Sequence, residues 1–423
     1  MHLAFLNPQA NFDPVDRYCT EHPDFGGQLV YVKEIALALG RLGHNVDILT
    51  RRIVDPVWRG FEETIDAYPG EANVRIVRLP CGGDGFLRKE DLWPYLGTEW
   101  VPRIVDFFQA EGHAPDVATA HYGDGGLSAA LWEELGGPPY SLTGHSLGAQ
   151  KLDRLLAQPD SNLVDLDVHY RFSRRIAAER VAMSRASRII TSTRQERMEQ
   201  YGHQAYMSAV DPHDDRKFAV VPPGVNLEIF GADVRGADDD RVARYVEARL
   251  ARDVAEHRCK LPTVICSSRL DPKKNHIGLV HAFAESAELQ AAANLIIVVR
   301  GATDIHSRKG LNPTESAVLD EIVSVCESHG LWGKVCVFSL DSQSELASSY
   351  RHLRARQSAF ALTALYEPFG LAPREAMASG LPAAVTRNGG PSESLYDEAT
   401  GREFGILVDP ADPADLAAGL LRL

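Results

Sequence analysis

Short apolar runs rich in β-branched residues recur along the whole chain, each set apart from the next by a helical or loop segment. In the first half they read HLAFLN, NVDILTR, VRIVRLP, DVATAHY, YSLTG, RIITST and FAVVPPG. In the second half they read TVICSSR, NLIIVVRG, KVCVFSL, AFALTA, AAVTRNG and GILVDP. Continuous apolar runs suit strands buried on both faces, and strands alternating with helices suit parallel, doubly wound sheets. About thirteen strands are too many for one ordinary open sheet. The pattern therefore predicts an α/β protein of two Rossmann-like, doubly wound domains facing each other across a cleft. The boundary is expected near Pro222-Pro223-Gly224, dividing residues 1–222 from 223–423, with a polar, acidic stretch (GADVRGADDD) shortly after. Ligands of such folds bind at the carboxyl ends of the strands.

Between the first two runs lies QLVYVKEIALALGRLG, with Leu29, Val32, Ile35, Leu39 and Leu42 at helical spacing and Gly43 as the expected stop. The chain has 423 residues, of which 44% are hydrophobic, enough for sizeable cores. No run approaches the ~18 apolar residues of a membrane span. The opening MHLAFLNPQANF lacks a basic flank or cleavage segment and reads as a first strand. Cys19, Cys81, Cys259, Cys266, Cys326 and Cys336 are scattered without a C-x-x-C pair. They fit reduced core residues of a cytoplasmic protein, with neither a disulfide framework nor a zinc site. The net charge of −14 argues against general nucleic-acid or anionic-membrane binding, so any anionic ligand needs a local basic cluster.

Several segments are candidates for such chemistry. Gly144-His145-Ser146-Leu147-Gly148, within TGHSLGAQK, fits the G-x-S-x-G nucleophile elbow of α/β-hydrolases. It also reads as a ligand loop with a histidine, exposed amides and Lys151. A hydrolase would need an acid and a histidine at later strand ends, where the chain carries other residues, and His169, His203 and His213 lie in polar stretches unsuited to a triad. Gly26-Gly27 in DFGGQLVYV stands before a helix start, where amides can approach an anion, yet it is not G-x-G-x-x-G. HYGDGGLS has a similar shape and by itself reads as loop punctuation. SSRLDPKKNH ends a strand with Arg269, Lys273 and Lys274, cations suited to a diphosphate. YEPFGLAPREAMASG places Glu367 at a strand end, Glu375 in the following helix, and the amides of Gly370 and Leu371 near that helix start. Glu375 could accept hydrogen bonds from a ribose and Glu367 from a sugar hydroxyl. TRNGGPSE adds a glycine turn that either faces a sugar or is a plain turn. Downstream of TGHSLGAQK, Lys151 and Arg154 precede Arg171, Arg174 and Arg175, which share one helix face by spacing. With Lys89 they form a candidate phosphate cluster. Asp238-Asp239-Asp240 reads as a helix-capping surface segment rather than a metal site.

Together these motifs resemble the retaining glycosyltransferases of GT-B fold. FLNPQANFDP, TEHPDFGGQLVYVKE, TAHYGDGG, TGHSLGAQK, VPPGVN and VTRNGGP are similar, in order, to segments of the sucrose-phosphate synthase family. The resemblance implies transfer of glucose from UDP-glucose to fructose 6-phosphate with retention, no required cofactor and no metal. It implies that Arg269 and Lys274 hold the UDP diphosphate, Glu375 the ribose and Glu367 the glucosyl hydroxyls, assisted by amides at Gly370 and Leu371. His145 would touch the glucosyl unit. Gly27 and Gln28 would contact the fructose, and Lys89, Lys151, Arg174 and Arg175 would hold its phosphate. A phosphatase acting on the product is a candidate partner. Members of the family continue through further C-terminal helices, which are expected to be absent from a chain ending at Leu423. Rival readings are a sucrose synthase-like enzyme using free fructose, another donor such as ADP-glucose or GDP-mannose, and a non-catalytic sugar-phosphate sensor.

Overall fold

The structure is a computed structural model and describes residues 1–9, 11–15, 27–159, 161–299 and 301–423. The chain divides into two compact units, Met1–Pro222 and Pro223–Leu423. The first contains β1 (His2–Leu6), β2 (Asn45–Arg51), β3 (Ile65–Ala67), β4 (Val74–Leu79), β5 (Val117–His121), β6 (Tyr140–Thr143), β7 (Arg188–Thr191) and β8 (Phe218–Val220). Their order in one sheet is β3-β4-β2-β1-β5-β6-β7-β8. Every pairing is parallel except that of β3 with β4. Strand order reverses between β1 and β5, so the carboxyl ends of these two strands flank a crevice.

The second unit carries β9 (Thr263–Ser267), β10 (Asn294–Val298), β11 (Val335–Phe338), β12 (Ala359–Leu362), β13 (Ala383–Thr386), the two-residue ribbon β14 (Tyr396–Asp397) and β15 (Arg402–Glu403), and β16 (Ile406–Val408). The main sheet runs β11-β10-β9-β12-β13-β16, all parallel, and its order reverses between β9 and β12. This is the dinucleotide-fold order reached without a G-x-G-x-x-G fingerprint.

Each sheet is covered on both faces, which explains the unbroken apolar runs. In β1, Phe5 packs into a cluster with Val32, Leu37 and Ile48, while Ala4 and Leu6 enter another with Leu49, Trp100 and Leu142. In β10, Ile297 and Ile296 divide in the same way between the two clusters of the second unit. All thirteen expected strands form. The edge strand β3 and the β14–β15 ribbon were not legible, because two or three residues carry no periodic pattern.

Three details differ from the sequence reading. The first helix spans Gly27–Arg41, so Leu42 lies beyond its end and is exposed, with left-handed Gly43 stopping the chain's rise. HYGDGGLS is not loop punctuation, because residues from Tyr122 onward form the helix Tyr122–Glu134. Its glycines permit close packing. A Cβ on Gly125 would lie 2.5 Å from the Leu6 carbonyl oxygen, and one on Gly126 would lie 2.6 Å from the Ala182 Cβ. The acidic triplet stands at the start of a helix, Asp239–Asp253, but does not cap it by side chain: the N-cap residue Asp238 makes no such bond, while Asp239 accepts from the Gly236 amide outside the helix at 2.9 Å and pairs with Arg351 at 2.7 Å.

Candidate functional site

In the first unit, β6 runs through Gly144–Leu147 into the helix Gly148–Leu156. That strand–turn–helix shape matches a nucleophile elbow, but the residue in the left-handed conformation is His145 (φ 56°), not Ser146. A serine nucleophile needs a base in hydrogen-bond reach. The partners of Ser146 Oγ are instead Tyr122 Oη at 3.4 Å and Arg175 Nη2 at 3.3 Å. The first two amides of the helix after the turn are not free for a ligand either. Gly148 N–H donates to both Glu179 carboxylate oxygens at 3.0 Å, and Ala149 N–H to Tyr206 Oη at 3.1 Å.

His145 Nε2 lies 2.9 Å from Nδ1 of His121, the last residue of β5. Tyr31 meets His145 edge-on with ring centroids 5.1 Å apart, and Phe5 stacks on His121 at 5.6 Å. Burial holds His145 down to about 3, and burial followed by the neighbouring imidazole holds His121 well below its ordinary value. The pair is therefore neutral at pH 7, and one ring donates to the other.

Beside it, at the carboxyl ends of β1, β5 and β6, lies a small pocket lined by Gln9, Lys89, Tyr122, Asp124, Lys151 and Arg175, among others. Three elements bring the cations together: the helices Lys89–Tyr95, Gly148–Leu156 and Phe172–Arg185. Lys89 Nζ stands 5.7 Å and the Arg175 guanidinium 4.7 Å from the Tyr122 ring centroid, and Lys151 Nζ stands 4.3 Å from that of Tyr170. Tyr122 itself has φ 69°, a strained backbone of the kind that gathers at functional sites. Burial, then Lys89 and Arg175, lowers the Lys151 ammonium. Burial would raise the Tyr122 phenol, but Arg175 and Lys89 outweigh it and the net shift is downward. The Tyr122 shift, which runs against burial, reports a positive potential inside an acidic protein.

The arginines do not act as one face. Arg171 is the left-handed residue (φ 54°) between two helices, and Arg174 is exposed and outside the pocket lining. Arg175 alone turns inward, 5% exposed. Its Nε donates to Glu179 Oε1 at 2.8 Å and its Nη2 to the Ser146 carbonyl, so it is a braced cation rather than a free arm. Gln28 stands one hydrogen bond behind the pocket, accepting from Gln9 Nε2 at 3.2 Å. Gly27 opens the first helix with open space where a Cβ would be. Gly26 lies outside the described residues.

Sequence reasoning did not single out His121, Tyr122 or Asp124. Asp124, in the first helical turn after β5, is 2% exposed. Its Oδ1 accepts the Gly125 amide at 2.9 Å while its buried Oδ2 has no partner. Burial lifts its carboxyl to about 7, against the opposing pull of that amide, Lys89 and Arg175. The available signal was an acid directly following a buried strand, hidden among glycines.

In the second unit the candidate residues gather at the switch point. The turn after β9 leaves Arg269 exposed and forms one short helical turn, Pro272–Lys274, capped by Asp271. Lys274 Nζ donates to Glu367 Oε2 at 2.7 Å, joining the loops that follow β9 and β12. The TRNGG turn locks onto the same place, where Glu367 N–H donates to the Asn388 carbonyl and Gly390 N–H to the Glu367 carbonyl, both at 3.0 Å. Gly389 and Gly390 press against the carbonyls of Glu367 and Pro368, where no Cβ would fit. Their role is this contact, so the Gly390 amide does not face a sugar. Gly370 caps the helix Leu371–Ala378, in which Glu375 is half-buried and raised by burial to about 7. Arg374 stacks on Phe369 with its guanidinium 3.9 Å from the ring centroid.

Among the described residues no group of three or more histidine, cysteine, aspartate or glutamate side chains could hold a metal ion, and no helix is long and apolar enough to cross a membrane. The cysteines described (Cys81, Cys259, Cys266, Cys326 and Cys336) are unpaired.

Two Rossmann-type units with polar loops at their switch points define a glycosyltransferase of GT-B fold. Residues 26–224 match the glycosyl transferase 4-like domain, and residues 248–423 match glycosyl transferases group 1. The chain is 46% identical, over 93% of its length and 84% of the relative's, to a probable sucrose-phosphate synthase of Thermosipho melanesiensis. It is 33% identical to probable sucrose-phosphate synthase 1 of Oryza sativa subsp. indica, covering 95% of this chain but only 41% of that longer protein. The sucrose-phosphate synthase of Thermosynechococcus elongatus superposes with a TM-score of 0.69 at 23% identity, covering 100% of this chain and 89% of that one. An Anabaena protein, HepE, solved with UDP-glucose, superposes with a TM-score of 0.61 at 16% identity over 100% and 89% of the two chains. This chain belongs to the sucrose-phosphate synthase family and is a hexosyltransferase.

Proposed function

We propose that this hexosyltransferase moves glucose from UDP-glucose to fructose 6-phosphate, with retention, giving sucrose 6-phosphate and UDP. One observation carries the acceptor assignment: Lys89, Lys151 and Arg175 converge on one pocket of a chain with net charge −14. A sugar phosphate would set its phosphoryl group against these cations, with Gln28 and the Gly27 backbone near its ring and His145 toward the glucosyl unit. In the second unit, Arg269 and Lys274 suit the donor diphosphate, Glu375 the ribose hydroxyls, and Glu367 a glucosyl hydroxyl, with the Gly370 and Leu371 amides beside them. The bond from the anomeric carbon to the phosphate oxygen breaks as the acceptor oxygen bonds on the same face. The acceptor proton passes to a donor phosphate oxygen. UDP is already a good leaving group, so cations that neutralise its developing charge suffice without a metal or other cofactor. A phosphatase consuming the phosphorylated product is the partner this chemistry calls for.

The test is UDP release from UDP-glucose with fructose 6-phosphate against fructose, with the product weighed by mass spectrometry. Losing two charge-assisted hydrogen bonds costs about 3–6 kcal/mol, a preference of roughly 10²–10⁴. Equal use of free fructose would reassign the cationic pocket.

A further inference from the structure

The cationic pocket contains a group that the reading above does not use. Asp124 is buried, its Oδ2 is unpartnered, and it lines the same space as Lys89, Lys151 and Arg175. An ionised carboxylate there would repel an incoming phosphoryl dianion in a medium where charges are poorly screened. A protonated one would offer the hydroxyl donor that the pocket's unpaired oxygen lacks. We propose that Asp124 is a specificity-determining residue whose protonation is coupled to capture of a phosphomonoester dianion, its Oδ2–H donating to the ligand. The inference rests on the acceptor reading given under Proposed function.

The surroundings favour this coupling. The titratable and charged groups that share the pocket with Asp124 are Lys89 and Glu90 from one helix, Lys151 from a second, Tyr170 from a third, Arg175 from a fourth and Tyr122 beside it; Glu179 is the ion-pair partner of Arg175, and His121 ends the preceding strand. Glu179 is already tied to Arg175 and to the Gly148 amide, and His121 to His145, so neither is free to take the proton. Burial places the empty-state titration of Asp124 at about 7, and a bound dianion moves it further up. One proton enters from solvent per ligand bound, and no bond in the ligand changes. Affinity should then fall about tenfold per pH unit above roughly 7. The ligand's own second ionisation, near about 6, works in the opposite direction and is complete by then.

The experiment is calorimetric titration of the full chain with fructose 6-phosphate near pH 8, in two buffers of different ionisation enthalpy. The wild-type chain should take up close to one proton per ligand. Asp124→Asn carries the donor permanently, so it should bind with no uptake from this site and with a flat affinity above pH 7; Asp124→Ser, a second variant, should also lose the uptake. Uptake near zero in the wild type, or undiminished in both variants, overturns the proposal while leaving the acceptor reading in place. A wild-type chain that binds fructose but not its 6-phosphate at any pH overturns both.

Discussion

Replacing Lys151 by methionine separates ligand binding from folding more cleanly than any other change at the pocket. The side chain keeps its aliphatic stem against Tyr170 and Phe172, over whose rings Nζ now stands at 4.3 and 5.9 Å. What is lost is one cation without an ion-pair partner among the described residues, lowered by burial and by its like-charged neighbours Lys89 and Arg175. A charge-assisted hydrogen bond to a phosphoryl oxygen is worth about 1.5–3 kcal/mol, so KM for fructose 6-phosphate should rise about 10–150-fold. Use of fructose should hardly change. Removing a desolvated like charge should leave the empty fold as stable or up to about 1 kcal/mol more so, about 2–4 °C in Tm for a unit of this size. Steady-state kinetics on both acceptors and a melting curve without ligand test the two halves together. Equal losses on both acceptors, or a Tm several degrees lower, would refute the reasoning, because Lys151 would then be holding up the structure rather than awaiting a phosphate.

Three further expectations follow from the packing. Arg175→Ala should cost about 3–5 kcal/mol of stability by leaving buried Glu179 without its guanidinium, whereas exposed Arg174→Ala should stay within about 0.5 kcal/mol; denaturant melts would reverse our assignment if the two matched. Gly126→Ala, a change that stabilises most helix interiors by about 1 kcal/mol, should instead lower Tm here, because its Cβ would meet Ala182 Cβ at 2.6 Å and Leu142 Cδ1 at 2.9 Å. Burial lifts the Glu375 carboxyl from its ordinary 4.5 to about 7, so the stability linked to its proton is complete below 4.5 and lost as pH rises through 7. The Tm of Glu375→Gln relative to wild type should therefore climb between about pH 5 and pH 8, while binding of UDP-glucose weakens; a pH-independent difference would show that the carboxylate is solvated.

Much of this could be read from the chain alone. Unbroken apolar runs such as NLIIVVRG have only one comfortable location, a strand covered on both faces, and that physics dictates two parallel sheets. The ends of those runs then name the loops that can carry chemistry, and Lys274 and Glu367 stand there, with Glu375 in the helix that follows Glu367. Direction is what a linear pattern does not contain. Arg171, Arg174 and Arg175 have the spacing of one helix face, yet Arg171 is a left-handed residue between two helices, and of Arg174 and Arg175 in the second helix only Arg175 turns inward. G-x-S-x-G has the spelling of a nucleophile elbow, but the tertiary neighbours of Ser146 are a phenol and a guanidinium, while the strained position went to His145. Asp124 passed for a loop residue among glycines until those glycines proved to be the contact surface of a helix. Periodicity and composition determined the sheets and the loops at their ends, because burial acts on residue types. Which side chains meet, which are braced and which buried oxygen is left unpaired depended on contacts between residues tens of positions apart, and these only the folded structure decided.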